Sequence, residues 1–160
     1  MTINYQEYFT KRQCAYWHEY PVAYRDINFQ DKVVINVGGD CGSLCVYAIL
    51  QGARKCIMYE KEKDLRVKAY DVIKEFSLND KIEVRNEWNQ EYPDADVILI
   101  DCEGCEEKLD VLQLQKYKQY CVAIHDWLKP EIRVSLSRKL YGTKFTYISD
   151  DTREIVLCHT

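Results

Sequence analysis

Two short stretches of the sequence carry residue types suited to binding a nucleoside. Gly38, Gly39 and Gly42 directly follow one apolar run, and Glu60 closes another apolar run 22 positions after Gly38. Glycines let a ligand approach the backbone at a point where a side chain would block it. A carboxylate can accept hydrogen bonds from two vicinal hydroxyl groups, which is what a ribose presents. The two stretches therefore predict a nucleoside site at one edge of an α/β sheet.

The spacing of the glycines narrows the choice of cofactor. It does not fit the G-x-G-x-x-G of dinucleotide-binding folds, and the Gly-Lys-Ser/Thr end of a phosphate-binding P-loop is absent. Residues 33–42 instead resemble the first motif of class I S-adenosylmethionine-dependent methyltransferases, although Asn36 stands where that family usually has an acid. The resemblance implies S-adenosylmethionine as the cofactor, ribose binding by Glu60, and cofactor contacts from Asn36, Gly38, Gly39, Asp40, Gly42, Ser43, Glu60, Glu87, Trp88 and Asp101.

A second resemblance rests on residues 98–106, which read Ile-Leu-Ile-Asp-Cys-Glu-Gly-Cys-Glu. This block is similar to the Ile-Asp-x-Glu-Gly-x-Glu signature of FkbM-type methyltransferases, with Cys105 where most members have alanine. Glu60 and the Ser-Leu-Asn-Asp connection at 77–80 extend the resemblance over residues 31–126. It implies O-methylation of a sugar or another hydroxyl compound, with Asp101 facing the methionine amine of the cofactor. Glu87 and Trp88 would flank the adenine, although Trp88 could equally fill the core.

The candidate catalytic residues are His125, Asp126 and Glu103. Methyl transfer needs mainly alignment, and a base helps when the acceptor is a hydroxyl. His125 could take that proton while Asp126 orients it or binds the acceptor, and Glu103 is the rival base. A structural role for His125, or for Asp126 as a cap of the next helix, stays open. Asp101 with Asp126 could also bind a divalent cation, but no third ligand is visible, so we expect no metal.

The pattern of apolar residues predicts the elements that position these side chains. Seven strands are expected at 33–37, 56–59, 81–85, 96–101, 120–124, 144–148 and 154–158, and helices at 4–17, 43–50, 64–76, 106–117 and 130–140. Regular alternation of strand and helix indicates a parallel sheet with right-handed crossovers. We therefore predict an α/β, Rossmann-like class I methyltransferase fold. Its sheet is mostly parallel, ends in an antiparallel hairpin, and carries helices on both faces.

The length of 160 residues predicts a single domain. Residues 1–30 are rich in aromatic side chains and form an N-terminal cap segment. We expect this segment to pack on one face of the sheet. A role as a lid over the substrate side of the site is the alternative.

Composition limits the classes of partner. The net charge of −4 shows no basic excess, which disfavours nucleic acid as a non-specific partner. No apolar run reaches membrane-spanning length and the start does not resemble a signal peptide, so we expect a cytoplasmic protein. The expected partner is a small-molecule or sugar acceptor, with a second copy of the chain as a candidate to complete its pocket. An RNA or protein methyltransferase and an inactive binding module of the same fold are the alternatives.

Eight cysteines are many for an intracellular chain of this length. We expect most of them to be buried free thiols, which behave as small apolar side chains. Two pairs, Cys41 with Cys45 and Cys102 with Cys105, could form disulfides or a zinc site, although neither spacing is a strong zinc signature. Disulfides inside a cell would indicate a hyperthermophile.

Overall fold

A seven-stranded sheet forms the centre of the molecule in the computed structural model, which describes residues 3–14, 16–127 and 129–160. The strands are β1 Val33–Val37, β2 Lys55–Tyr59, β3 Ile82–Arg85, β4 Val97–Ile100, β5 Gln119–His125, β6 Lys144–Ile148 and β7 Glu154–His159. They lie in the order β3-β2-β1-β4-β5-β7-β6. Strands β1 to β5 are parallel, whereas β7 runs antiparallel to both β5 and β6. The predicted fold class is therefore confirmed.

Six helices surround this sheet within the described residues: α1 Tyr5–Thr10, α2 Tyr20–Ala23, α3 Ser43–Leu50, α4 Lys63–Glu75, α5 Val111–Leu114 and α6 Ile132–Lys139. Short 3₁₀ turns lie at Tyr16–His18 and Cys105–Lys108. None of the described helices is both long and apolar enough to cross a membrane.

Two predicted helices are wrong because local backbone geometry interrupts them. The helix expected at 4–17 ends at Thr10, and Gln13 then adopts a left-handed conformation with a φ of 62°. The helix expected at 106–117 is divided by Asp110. Its side chain accepts hydrogen bonds from the backbone N–H groups of Leu112 and Gln113 and so starts α5 as a separate element.

The core has two layers because successive strand residues point to opposite faces of the sheet. Val34 packs into the layer beneath α3, α4 and the N-terminal segment, whereas Ile35 packs into the layer beneath α5 and α6. Phe9, Tyr20 and Tyr24 of the N-terminal segment are buried in the first layer, so the expectation that this segment packs on the sheet is confirmed.

The cysteines are paired rather than free, which corrects the expectation of buried thiols. Four disulfides join Cys14 to Cys41, Cys45 to Cys56, Cys102 to Cys105 and Cys121 to Cys158. The bond between Cys102 and Cys105 is one of the alternatives that the sequence left open, whereas Cys41 and Cys45 are not bonded to each other. Cys41 instead meets Cys14 of the N-terminal segment, with 6.5 Å between their Cα atoms. This bond ties the N-terminal segment to the glycine turn after β1.

Candidate cofactor and acceptor cleft

A cleft of about 760 Å³ opens at the carboxyl ends of the parallel strands. This edge is where open α/β sheets bind ligands. The cleft is lined by nine of the site residues that the sequence predicted. They are Gly38, Gly39, Asp40, Glu60, Glu87, Trp88, Asp101, Glu103 and His125. The structure thus brings most of the predicted site into one cavity of a size ordinary for a small-molecule site.

The glycine turn is held close to the ends of two neighbouring strands. The backbone N–H groups of Gly38 and Gly39 both donate to the carbonyl oxygen of Tyr59, at 3.0 and 2.9 Å. Gly38 has a φ of +83°, and a Cβ added there would lie 1.7 Å from the carbonyl oxygen of Asp101. Glycine is therefore required at position 38 because the turn after β4 approaches its backbone too closely for any side chain.

Glu60 is a buried carboxylate whose two oxygens are both held by the backbone. Its Oε2 accepts from the N–H of Asp40 and its Oε1 from the N–H of Glu62, each at 2.8 Å. A carboxylate has about four acceptor positions, so each oxygen of Glu60 keeps one for another donor. The side chain is thus fixed in place and can still accept two hydrogen bonds from a ligand in the cleft.

Asp40 lies where the glycine turn meets the other carboxylates of the cleft. Burial raises the pKa of its carboxyl to about 7, and the charges of Asp101, Glu60 and Glu103 add to that effect. The backbone of Asp40 is left-handed, with a φ of 48°. This conformation is uncommon outside glycine, although aspartate and asparagine tolerate it best.

Trp88 fills the core and also lines the cleft. It is 8% exposed and packs edge-on against Tyr92, with 5.3 Å between ring centroids. Its indole N–H donates to the carbonyl oxygen of Glu91. The neighbouring Glu87 is exposed at the cleft wall. Both roles considered for Trp88 are therefore compatible with its position.

His125 is the last residue of β5 and lies among carboxylates. Its Nδ1 is 3.0 Å from Oε1 of the fully buried Glu106, and its Nε2 is 3.2 Å from Oδ1 of Asp101. Burial alone would lower the pKa of the imidazole, but the hydrogen bonds to Asp101 and Glu106 outweigh it and raise the pKa to about 10. An imidazole that is already protonated is not poised to accept a further proton. The residue that orients the His125 ring is Glu106. The sequence had suggested Asp126 for this role.

Glu154 and Trp127 are cleft residues that the candidate list missed. Glu154 is the register partner of His125 across β5 and β7, and its Oε2 lies 3.8 Å from His125 Nε2. Burial, together with the charge of Asp101, raises the pKa of Glu154 to about 7. Trp127 packs edge-on against the His125 ring, at 4.6 Å between centroids. Pairing the predicted C-terminal hairpin with strand 120–124 would have placed position 154 beside His125.

The N-terminal segment packs on the sheet and also lines part of the cleft. Tyr16, His18 and Glu19 line the cavity, whereas Tyr20 both lines it and is buried. The hydroxyl of Tyr20 is hydrogen-bonded to Oγ of Ser43 at 2.7 Å. The lid considered in the sequence analysis therefore corresponds to residues that form one wall of the cleft.

Four predicted site residues do not line the cleft. They are Asn36, Gly42, Ser43 and Asp126. Asn36 is fully buried, with its side-chain amide nitrogen 3.8 Å from Sγ of Cys45. Asp126 forms an ion pair with Arg133 of α6 at 2.8 Å. Asp126 therefore contacts the following helix, which agrees with the structural role considered for it as an alternative to catalysis.

Comparison with known proteins identifies two close relatives of the chain, both from viruses. No family model matches it. Over 158 residues it is 50% identical to uncharacterized protein 158B of Sulfolobus islandicus rod-shaped virus 1, covering 98% of this chain and 99% of that protein. It is 49% identical over 158 residues to uncharacterized protein 65 of Sulfolobus islandicus filamentous virus (isolate Iceland/Hveragerdi), covering 99% of each. The chain belongs to the family of these two proteins.

Solved structures with little sequence similarity share the fold. Aeropyrum pernix fibrillarin in complex with S-adenosyl-L-methionine has a TM-score of 0.67 at 13% identity, over 90% of this chain and 76% of that one. An RNA methyltransferase from Salinibacter ruber in complex with S-adenosyl-L-homocysteine has a TM-score of 0.63 at 14% identity, over 86% of each chain. An S-adenosylmethionine-dependent methyltransferase from Mesorhizobium loti has a TM-score of 0.64 at 9% identity, over 88% of this chain and 96% of that one. This chain thus has the Rossmann-like fold of class I methyltransferases.

Proposed function

We propose that this protein is an S-adenosylmethionine-dependent methyltransferase. The observation that carries the proposal is the geometry of Glu60 beside the glycine turn. Both oxygens of this buried carboxylate are fixed by backbone N–H groups and each keeps an acceptor position, which suits the two hydroxyls of a ribose. Bound cofactors in two structures of the same fold, S-adenosyl-L-methionine and S-adenosyl-L-homocysteine, support this choice of nucleoside.

The residues around the cleft fit the remaining parts of the cofactor. The turn at Gly38 and Gly39 would lie against its methionine part, and Trp88 with Glu87 would flank its adenine. Asp101, directly after β4, would face the cationic amine, for which a carboxylate is the natural partner. When bound, S-adenosylmethionine supplies a methyl group on a positively charged sulfur. The protein's own contribution is to hold the acceptor in line with that methyl group.

We propose a small hydroxyl-bearing acceptor, such as a sugar, rather than a nucleic acid. Two lysines line the cleft, against ten acidic side chains: Glu19, Asp40, Glu60, Glu62, Glu87, Asp101, Glu103, Asp150, Asp151 and Glu154. Such a wall repels phosphate groups and accepts hydrogen bonds from hydroxyls. Glu103, which is exposed at this wall, can accept the proton of the acceptor. The FkbM-like assignment remains part of this proposal, supported by Asp101 and Glu103 at the cleft and Glu106 beneath it.

Calorimetric titration with S-adenosylhomocysteine tests the proposal. The native chain should bind one equivalent, and Glu60→Gln should weaken binding at least about tenfold, because an amide can accept with only one of its two terminal atoms. Glu62→Gln is the matched control. Its side chain is exposed at the rim of the same cleft, so its affinity should match that of the native chain. Absence of binding by the native chain, or equal affinities of the two variants, would contradict the ribose assignment.

A further inference from the structure

We propose that Asp101, His125 and Glu154 form a binding site for a divalent cation of the Mn²⁺ type on the acceptor wall of the cleft. Only the role of the cation rests on the proposed function, because the acceptor would bind at the side of the cleft that these three residues form. The site itself is argued from side chains that do not require the cofactor, and it can be tested without it.

The three side chains converge from three adjacent strands. Asp101 follows β4 directly, His125 ends β5 and Glu154 begins β7. One donor atom from each lies within 4.8 Å of the other two, and for Asp101 this leaves the second carboxylate oxygen to face the amine of the cofactor. The imidazole Nε2 is 3.2 Å from Asp101 Oδ1 and 3.8 Å from Glu154 Oε2. Neighbouring ligands of an octahedral ion with bonds of about 2.1 Å lie about 3 Å apart, so small side-chain adjustments would bring all three atoms onto one ion.

The orientation of His125 is set by a group outside the ligand set. Glu106 is fully buried, and its Oε1 contacts Nδ1 at 3.0 Å and also accepts from the backbone N–H of His125 at 3.1 Å. Its Oε2 accepts from the N–H of Gly104 at 2.7 Å. A buried carboxylate that holds the Nδ1 proton leaves Nε2 directed at the cleft. This is the usual arrangement behind a metal-binding histidine.

The charges around the imidazole are unbalanced in the absence of a cation. Glu106 and Asp101 contact its two nitrogens, and Glu154 lies close to Nε2. Glu19, from the N-terminal segment, and Glu103, from the turn after β4, line the same cleft and add further negative charge. A divalent cation bound at Nε2, with any proton on that nitrogen released to solvent, would offset this negative charge. It would leave coordination positions open to water or to an acceptor hydroxyl.

The donor set indicates the class of ion. Two carboxylates and one imidazole, with no thiolate, suit Mn²⁺ or Fe²⁺ better than a structural zinc site. A second group of suitable residues, Cys102, Cys105 and Glu106, lies next to the site. Its two cysteines are bonded to each other, and a disulfide offers no thiolate ligand.

Titration of the full-length protein with MnCl₂, followed by the loss of the electron paramagnetic resonance signal of free Mn²⁺, tests the site. We expect uptake of one ion per chain without any cofactor. Glu154→Gln and His125→Asn should each weaken uptake at least about tenfold, and Glu106→Gln, which touches no ion, about 10- to 100-fold. Asp151→Asn is the control. It removes the same charge from an exposed residue of the same cleft, and Mn²⁺ affinity should stay within about twofold.

Each result decides between the site and its rivals. Absence of saturable uptake, or uptake that Glu154→Gln and His125→Asn leave unchanged, would overturn the proposal. Equal weakening by Asp151→Asn would indicate diffuse attraction to an acidic wall and would also overturn it. Circular dichroism shows which variants fold, and Glu154→Gln alone decides the matter should His125→Asn not fold. Titration with S-adenosylhomocysteine in the presence of EDTA reports separately on the cofactor site, so failure of one assignment is distinguishable from failure of the other.

Discussion

The two halves of the cleft are built by different means. In the half that we propose binds the cofactor, here called the cofactor half, Gly38 to Asp40 and Glu60 are held by backbone hydrogen bonds between neighbouring turns. In the half that we propose binds the acceptor, the acceptor half, the ends of β4, β5 and β7 bring together Asp101, His125 and Glu154 above Glu106. The first half depends on backbone shape and the second on a balance of charge. A steric change should therefore damage the cofactor half, and a charge change the acceptor half.

The largest effect is expected from Gly38→Ala in the cofactor half. The added methyl group would overlap the carbonyl oxygen of Asp101, at 1.7 Å, and the left-handed φ of +83° would be strained as well. Relief of the overlap requires the turns after β1 and β4 to separate. We expect a loss of at least about 4 kcal/mol in the free energy of unfolding, measured by urea denaturation.

Gly142→Ala is the matched control for that variant. Gly142 has the same φ of +83°, and an added Cβ meets nothing within 4 Å. Its cost should be that of the left-handed conformation alone, about 1 kcal/mol. Similar losses in the two variants would show that conformation, and not the close approach to Asp101, makes glycine necessary at position 38.

The same contrast explains how far the sequence could predict the molecule. The cofactor half is encoded in two short local patterns, so glycine spacing and one carboxylate were enough to locate it. The strands and the parallel sheet could be predicted from apolar runs that alternate with helical patterns along the chain. The acceptor half depends on the register of β7 beside β5, which places Glu154 against His125 across 29 positions of sequence. Residue types alone do not reveal that register, and Asp126, adjacent in sequence, turns away to Arg133.

The cysteine pairing was missed for a related reason. Cys14 and Cys41 meet because the N-terminal segment folds back over the sheet, a contact that no local pattern encodes. Cys102 and Cys105 are near neighbours in sequence, and their pairing was among the alternatives considered. Local spacing thus suggested the bond between Cys102 and Cys105 as one alternative and gave no sign of the bond between Cys14 and Cys41.

The second prediction compares these two disulfides by replacing each pair with alanine. The bond of Cys14 with Cys41 spans 27 positions and that of Cys102 with Cys105 spans 3. Loss of loop-closure entropy from the unfolded chain then predicts destabilisation by about 3.5 and about 1.6 kcal/mol. Urea denaturation of both double variants, each under oxidising conditions, measures the difference. Equal losses would contradict the dependence on loop length.

The third prediction concerns charge in the acceptor half. Glu106→Gln keeps the shape of this buried side chain but removes the charge that faces the His125 ring at 3.0 Å. Because a hydrogen bond to a charged group is stronger than one to a neutral group, we expect a loss of about 2 kcal/mol in unfolding free energy. Glu107→Gln is the control. Glu107 forms an exposed ion pair with Lys129, so its replacement should cost at most about 0.5 kcal/mol. A loss no larger for Glu106→Gln than for this control would show that its charge contributes nothing to the acceptor half.

The smallest effect should appear at Asp40, where the two halves meet. Its pKa rises on folding from the ordinary value of 3.8 to about 7, chiefly through burial and then through Asp101. The folded protein therefore binds more protons than the unfolded chain between these values, and this residue lowers stability as the pH rises through that window. Asp40→Asn cannot ionise, and asparagine tolerates the left-handed backbone. The variant should gain on the order of 1 to 2 kcal/mol at pH 8 and nothing near pH 3.5, by urea denaturation at both pH values.

For Asp151→Asn we expect a change in unfolding free energy of the opposite sign at pH 8. The pKa of Asp151 is lowered by the hydrogen bond from the hydroxyl of Ser149, so its ionised form is favoured in the folded state. Its contribution to stability is present above the unfolded pKa and is lost as the pH falls, and Asp151→Asn should therefore lose stability at pH 8. A gain in both variants at pH 8 would point to the overall negative charge of the chain as the cause. A gain confined to Asp40→Asn would locate its cause in the burial of this one carboxylate and in the charges of Asp101, Glu60 and Glu103 around it.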